Sequence, residues 1–321
     1  MDRYFRPYFL GLDGGQSSTL ALIGDEAGRV LGTGRAGPCN HVASAEGKTK
    51  FVDAIQGSLN AAGSEAGFDP SRIRFHSACL GFSGGPADKE AILRSMIPSE
   101  RMIVTNDALV ALSGATAGQP GLIAIAGTGS IAFGRNSSGK TARAGGWGYL
   151  FGDEGSGFYI TRQALRAALR SEEGWGPSTS LRSVLLHATG APDINQLLHR
   201  LYTPEFPRPR IAALAKLVDE AAENGDATAG NILNEAAQQL AILVAAVRGQ
   251  LFHPGEAAHV SYAGGVFRSH ILLERFRMLT EMEDGNHVSP PAYGPAAGAL
   301  LEAYQAAGIR CTLSNVPEEK S

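Results

Sequence analysis

The stretch "FLGLDGGQSSTLALIGDEAGRVLG", residues 9–32, runs as an apolar strand, a glycine pair followed by hydroxyl residues, a second apolar run, a polar turn and a third run. Apolar runs separated by short Gly/Asp turns are the signature of hairpins. Residues 123–145, "IAIAGTGSIAFGRNSSGKTARAG", repeat the same order. The glycines keep step, with Gly14 preceding Gly127 by 113 residues, Gly24 preceding Gly134 by 110 and Gly28 preceding Gly139 by 111. Identity between the two stretches is low, but order and offset agree, which is the mark of an internal duplication. Each glycine bend can aim main-chain N–H groups and hydroxyls at one point, Gly14–Thr19 in one half and Gly127–Ser130 in the other. Concave sets of N–H groups of this kind bind anions, so the two halves suit a phosphate-bearing ligand held between them.

The remaining chain alternates strand and helix patterns, which predicts an α/β fold. Phe51, Ile55 and Leu59 share one face of a predicted helix over Ser44–Ala62. "RIRFHSACLGFSGG" reads as a strand entering a glycine turn, "PADKEAILRSMI" as a helix, "RMIVTN" as a strand and "DALVALSGATA" as a helix. Downstream, helices are expected over Gly157–Arg170, Ile211–Asn224, Asp226–Phe252, from Ser269, and over Gly294–Ala306, with strands at "HVSYAGGVF" and "NHVSP". The break at "TAGQPG", with a boundary near Thr116 to Pro120, divides the chain into a domain over residues 1–116 and a helix-rich one over 117–321.

Four short motifs invite other readings. "GRNSSGKT", from Gly134, fits the phosphate-loop pattern GxxxxGK(S/T), which binds phosphate where it follows a strand and opens a helix. After Thr141 come six glycines in sixteen residues, "ARAGGWGYLFGDEGSG", each costing a helix about 1 kcal/mol. The duplication instead makes Asn136–Gly139 the counterpart of "DEAG" and an exposed hairpin turn. "GTGSIA" and "GTGRAG" match the dinucleotide fingerprint, yet neither opens a helix as that fingerprint requires. "GFSGG" around Ser83 fits GxSxG between a strand and a helix, the setting of a nucleophile elbow. A serine hydrolase using Ser83 is therefore a reading from a different class.

Composition narrows the class. The 321 residues are 44% hydrophobic, enough for two self-sufficient cores, and the net charge of -3 with no basic, aromatic-interleaved run argues against a nucleic-acid partner. Three dispersed cysteines, Cys39, Cys79 and Cys311, speak against a disulfide framework or zinc ribbon. No apolar run reaches membrane-spanning length and no signal-peptide pattern opens the chain, so a cytoplasmic protein without membrane contact is expected.

Taken in order, "GLDGGQSST", "GPCNH", "GFSGG", "TNDALVAL", "AGTGS", "GGWGYLFGDEGSG", "GDATAGNIL" and "YAGGVFRS" resemble the actin-like ATPase superfamily. Within it, they resemble the N-acetylglucosamine kinase group of the BadF/BadG/BcrA/BcrD ATPase family over essentially the whole chain. The resemblance implies two duplicated actin-like (ribonuclease H-like) domains with a central cleft, the last helix packing back on the first domain. It implies an ATP-dependent kinase that phosphorylates the 6-hydroxyl of N-acetylglucosamine with Mg2+, working as a homodimer and closing to exclude water. Glucosamine and N-acetylmannosamine remain open as acceptors, as does an activator-type ATPase, although the three cysteines offer no pair for the iron–sulfur cluster it needs.

The resemblance also assigns residues. Asp13 would stand near the magnesium. Gly14, Gly15, Ser17, Ser18 and Thr19 would form the first phosphate loop, in which Gln16 replaces the family's usual glycine. Gly127, Thr128, Gly129 and Ser130 would form the second, and Gly225, Gly264 and Gly265 would flank the adenosine. Asp107 would be the catalytic base, and Asn40, Gly146, Trp147 and Asp153 would join it in contacting the hexosamine. Taken singly, the residues also have plain structural readings. Asp107 could cap its helix, Asp13 form a turn, Trp147 belong to a core, and Asp153 serve the dipole of the following helix. His41, beside Asn40, reads as a solvated loop histidine. If Lys140 belongs to a hairpin turn, Lys140→Ala should leave the ATP dissociation constant within a few-fold in a calorimetric titration; a true phosphate-loop lysine would show a severe loss.

Overall fold

The computed structural model describes residues 7–15, 17–39, 45–83 and 88–318. The predicted site residue Asn40, with Gln16, His41, Gly84 and Gly85, lies outside the described residues. The chain divides into two compact units, one running to Gln119 and taking in the segment from Pro290, the other Pro120–Ser289.

In the first unit, β1 (Phe9–Gly14), β2 (Thr19–Gly24) and β3 (Val30–Ala36) form an antiparallel meander, and β4 (Phe75–Phe82) and β5 (Ser99–Asn106) continue it in parallel, giving the order β3-β2-β1-β4-β5. In the second unit, β6 (Gly121–Ala126), β7 (Ser130–Arg135) and β8 (Thr141–Gly145) repeat the meander, followed by β9 (Ala258–Ala263) and β10 (Asn286–Val288), in the order β10-β9-β6-β7-β8. Read from the meander end, the two sheets have the same strand order and sense, which is the duplication seen in sequence. Parallel strands need long crossovers whereas antiparallel neighbours need only turns. Accordingly, α1 (Ala45–Ala66) and α2 (Glu90–Met96) stand before the parallel strands of the first sheet, and α9 (Ala227–Leu251) and α10 (His270–Thr280) before those of the second.

β1 is buried along almost its whole length because both sheet faces are covered. On one face, Leu10, Leu12, Leu80 and Phe82 pack with Phe51, Ile55 and Leu59 of α1. On the other, Phe9, Leu20 and Leu22 pack with Leu300, Leu301 and Tyr304 of the last helix, α11 (Pro295–Ala306). The glycines of "GTGRAG" serve this packing. A Cβ on Gly32 would run into the carbonyl of Ala62, and one on Gly34 into that of Ser58, so the apparent dinucleotide motif is the seat of α1 on β3.

The turns match in detail as well. Asp25 N–H donates to Arg29 O, Gly28 N–H to Asp25 O, and the Asp25 carboxylate accepts from Ala27 and Arg29 N–H. One duplication later, Asn136 N–H donates to Lys140 O, Gly139 N–H to Asn136 O, and Asn136 Oδ1 accepts from Ser138 and Lys140 N–H. Gly28 and Gly139 sit at φ +82° and +81°, the left-handed region that favours glycine. "GRNSSGKT" is thus a hairpin turn, and Lys140 Nζ donates to Gln250 O of α9 at 2.9 Å.

Helices α5 (Leu181–Thr189) and α6 (Ile194–Leu201) add to the expected set beside α4 (Gly157–Glu172). The helix expected over Ile211–Asn224 is two, α7 (Arg208–Ala213) and α8 (Ala215–Glu223), because Leu214 and Leu217 bond to carbonyls three residues back, tightening the chain at the junction. No helix among the described residues is long and apolar enough to cross a membrane.

The packing of α11 on α3 (Asp107–Ala115) supplies a stability test. A Cβ on Gly298 would collide with Val110 O and Gly114 N and come within 2.9 Å of Gly114 Cα, all backbone. Gly298→Ala should lower unfolding free energy by about 2 kcal/mol or more in a denaturant titration. Gly249→Ala, at an exposed α9 position with nothing near its Cβ, should be neutral or stabilise by about 0.5–1 kcal/mol.

Candidate functional site

In the first unit the site residues collect at the ends of β1, β4 and β5, where parallel strands hand over to loops. Such carboxyl ends are where open α/β sheets bind ligands. Asn106, the last residue of β5, caps α3 by accepting from Leu109 N–H at 2.8 Å, which leaves Asp107 as the first residue of the helix. Capping is therefore done by Asn106 and the Asp107 side chain is released for other contacts. Its Oδ2 accepts from Ser83 Oγ at 2.8 Å, while Ser83 N–H donates to Gly14 O at 3.3 Å. In the Ser-His-Asp arrangement a histidine takes the proton of the serine. The Ser83 hydroxyl instead donates a hydrogen bond to a carboxylate and ties β1, β4 and α3 together, so the elbow-like motif is a brace for Asp107.

The first loop is tight. Gly15 N–H closes onto Ser18 O at 2.9 Å, and Cys39 N–H donates to Gly15 O at 3.2 Å. Ser17 is exposed and Ser18 half-buried. Thr19 is fully buried, its hydroxyl 2.8 Å from Gly37 O and 3.0 Å from Cys39 Sγ. Among the proposed loop donors, Thr19 holds the loop's own shape. A Cβ on Gly14 would meet Cys39 Sγ at 2.6 Å and Phe82, so the loop backbone lies against both. Burial pushes the Cys39 thiol up, against the Thr19 hydroxyl; the charge of Asp13 adds to the rise and that of Lys89 opposes it. Sequence reasoning missed Lys89, whose side chain is 2% exposed, with Nζ 3.0 Å from Asp88 Oδ1 and 6.0 Å from the centre of the Phe82 ring. A lysine in a polar turn carries no sign of burial until Phe82 and Cys39 are packed beside it.

In the second unit the corresponding turn closes with Gly127 N–H on Gly129 O at 2.9 Å. Gly127 O accepts from Gly157 N–H at the start of α4, and Ser156 caps that helix by accepting from Tyr159 N–H. Ser130 is the centre of the arrangement. Its N–H donates to Asp153 Oδ1 at 3.2 Å, its hydroxyl to Glu154 O at 2.6 Å, and its carbonyl accepts from Gly146 N–H at 2.9 Å. The "GGWGYLFGDEGSG" stretch is therefore pinned to "GTGS" chiefly through Ser130, with Gly127 O as a further tie. Asp153, 4% exposed at φ +64°, engages its other carboxylate oxygen with Arg208 Nη2 at 2.6 Å. Its carboxylate thus lies on the "GTGS" loop, while Gly146 and Trp147 are exposed and the Arg143 guanidinium stacks 4.4 Å from the Trp147 ring. Trp147 is no core residue.

Beside Gly127 and Thr128 opens a cavity of about 360 Å³, lined on its other sides by Ile160, Lys216, Asp219, Leu233, Gly265 and Arg268. Its volume falls in the range of small-molecule sites, and its walls mix aliphatic side chains with a few polar groups. Gly264 borders this region at φ +102°; a Cβ there would strike the Ala126 carbonyl and come 2.7 Å from its carbon, so β9 and β6 can approach only with glycine. Gly225 is exposed at φ +90° between α8 and α9. The adjacent Asp226 caps α9 and takes the Thr179 and Ser180 hydroxyls. Burial would raise its carboxyl, but these bonds and the N–H groups of Ala229 and Ser180 outweigh it and hold it down to about 2. Among the described residues, no three His, Cys, Asp or Glu side chains converge as a metal cage.

Comparison with known proteins places the chain in a family. The family model described as the BadF/BadG/BcrA/BcrD ATPase family matches residues 10–303. The N-acetylmuramic acid/N-acetylglucosamine kinase of Clostridium acetobutylicum is 34% identical over 278 residues, 84% of this chain and 89% of that protein. The N-acetyl-D-glucosamine kinase of Dictyostelium discoideum is 31% identical over 308 residues, 91% and 96% of the two chains. The solved structure of a provisionally named N-acetylglucosamine kinase from Chromobacterium violaceum aligns with a TM-score of 0.72 at 27% identity, covering 92% of this chain and 98% of that one. The paired sheets are those of the two-domain actin-like fold. With the match spanning all but the ends of the chain, this protein belongs to the BadF/BadG/BcrA/BcrD ATPase family.

Proposed function

We propose that the protein is an ATP-dependent hexosamine kinase that transfers the γ-phosphoryl group of ATP to the 6-hydroxyl of N-acetylglucosamine. The observation that carries the catalytic part is the Ser83–Asp107 hydrogen bond at the first turn of α3. It restrains one carboxylate oxygen, and Oδ1 has no hydrogen-bond partner among the described residues. In this reading Oδ1 accepts the proton of the 6-hydroxyl as its oxygen bonds to the γ-phosphorus and the bond to the ADP oxygen breaks. The transition state of phosphoryl transfer is loose, so a carboxylate that orients the acceptor and collects the proton late is sufficient. The names of the relatives support the acceptor.

The nucleotide would use the "GTGS" turn for phosphate and the cavity beside Gly265 for adenosine. The first unit would supply Asp107 and the first phosphate loop, Gly14–Thr19. Gly146, Trp147 and Asp153, together with Asn40, are the proposed sugar contacts; Trp147 offers an exposed flat face to a pyranose. Asp13 fits Mg2+, a hard cation held in such sites by one or two carboxylates together with phosphate oxygens and water. The ion would neutralise charge on the phosphates during transfer. The reading extends to a homodimer acting in the cytoplasm.

ADP release measured over a panel of hexoses and hexosamines tests the proposal. Turnover should be greatest with N-acetylglucosamine, and Asp107→Ala should lower kcat by about 100-fold or more and raise the sugar KM by a smaller factor. Ser83→Ala should lower kcat by a smaller factor and leave ester cleavage at background. Turnover of no sugar, or an unchanged Asp107 variant, would sink the reading.

A further inference from the structure

The second glycine turn already holds an anion. The Asp153 carboxylate receives the Ser130 N–H at 3.2 Å and the Arg208 guanidinium at 2.6 Å, a main-chain amide of a glycine turn and a cation, which is the donor set a phosphate oxygen seeks. The pair is packed on the loop itself: a Cβ on Gly129 would lie 2.9 Å from Arg208 Nη2 and from both Asp153 oxygens. Arg208 opens α7 between Pro207 and Pro209, two residues whose rings fix φ, so its Cα is held firmly. Pro209 lines the cavity together with Gly127 and Thr128, which sets the arginine at the boundary between the cavity and the turn. Its side chain is still 35% exposed and stacks 5.2 Å from the Tyr149 ring. Its Nε is buried without a hydrogen-bond partner among the described residues, a donor that a family of packed contacts leaves open.

We propose that Arg208 is a ligand of the nucleotide phosphates, and that Asp153 stands in for a phosphate oxygen on the "GTGS" turn until the nucleotide displaces it. The inference rests on the reading of that turn as a phosphate loop. Arginine suits the role because its planar fork can release one acceptor and take another while the stem stays packed. Displacement frees the Asp153 carboxylate, the group assigned to the sugar, and sugar binding in turn releases Ser130 N–H and Arg208. Nucleotide and sugar would then each favour the other's binding, because linkage is reciprocal.

Calorimetric titration with adenosine, ADP and ATP, in the absence of sugar, tests the proposal. For Arg208→Ala, the dissociation constants of ADP and ATP should rise about tenfold or more, the size of a lost charge-assisted hydrogen bond, with adenosine unchanged. Asp153→Asn, which keeps a residue tolerant of positive φ, should bind ADP as tightly as the wild type or several-fold more tightly, since the competing charge is gone. An Arg208 variant that binds ADP within twofold of the wild type overturns the proposal, and so does an equal loss for adenosine, which would mark a structural role. Weakened ADP binding by Asp153→Asn overturns the stand-in role of Asp153. A wild type that shows the Arg208-dependent phosphate affinity yet phosphorylates no sugar refutes the hexosamine kinase reading alone, and one that binds no nucleotide refutes both.

Discussion

A strand that turns back on itself within a few residues must close the turn with its own main chain, and in both units the first strand does so through glycine. Gly15 N–H bonds Ser18 O, and Gly127 N–H bonds Gly129 O, each at 2.9 Å. These closures set the registers that follow, ending with Gly14 opposite Thr19 and Ala126 opposite Ser130. From the registers come the positions of the anchoring residues. Thr19 is turned inward against Gly37 and Cys39, and Ser130 reaches Asp153, Glu154 and Gly146. Neither loop could move by one residue without turning every side chain of its hairpin to the opposite face.

Much of this was legible in the sequence because it is local. Apolar runs, glycine spacing and polar turns report on residues that are neighbours in the chain, and the duplication of Asp25–Gly28 in Asn136–Gly139 persists down to individual hydrogen bonds. What stayed hidden depends on contacts distant in sequence. Arg208 lies 55 residues from Asp153, and neither its motif "PRPR" nor its charge signals that it will rest on a glycine turn. The direction of the Asp153 carboxylate was equally out of reach, since it follows from a left-handed backbone fixed within a loop of four glycines between β8 and α4. The glycines of "GTGRAG" misled for a related reason. Glycine marks close backbone approach, and sequence cannot tell whether a helix or a phosphate makes the approach.

The two carboxylates Asp107 and Asp153 show how environment separates similar groups. Asp107 is half-buried with one oxygen braced by Ser83, whereas Asp153 is buried with an oxygen on Ser130 N–H and the other on Arg208. The first arrangement fits a group that meets a hydroxyl proton; the second fits a group held on an anion site. Ser83 illustrates the same lesson for motifs: a GxSxG pattern specifies a sharp turn after a strand, and the partner of the hydroxyl decides its chemistry.

The proposed reaction transfers phosphate to one particular oxygen of an amino sugar. Incubation of the protein with ATP, Mg2+ and N-acetylglucosamine, followed by proton–phosphorus correlation NMR, identifies that oxygen. The expected product has a phosphorus coupled to the two C6 protons and forms in equal amount with ADP. Phosphorus coupled to the C1 or C3 proton, or inorganic phosphate released with no sugar product, would contradict it.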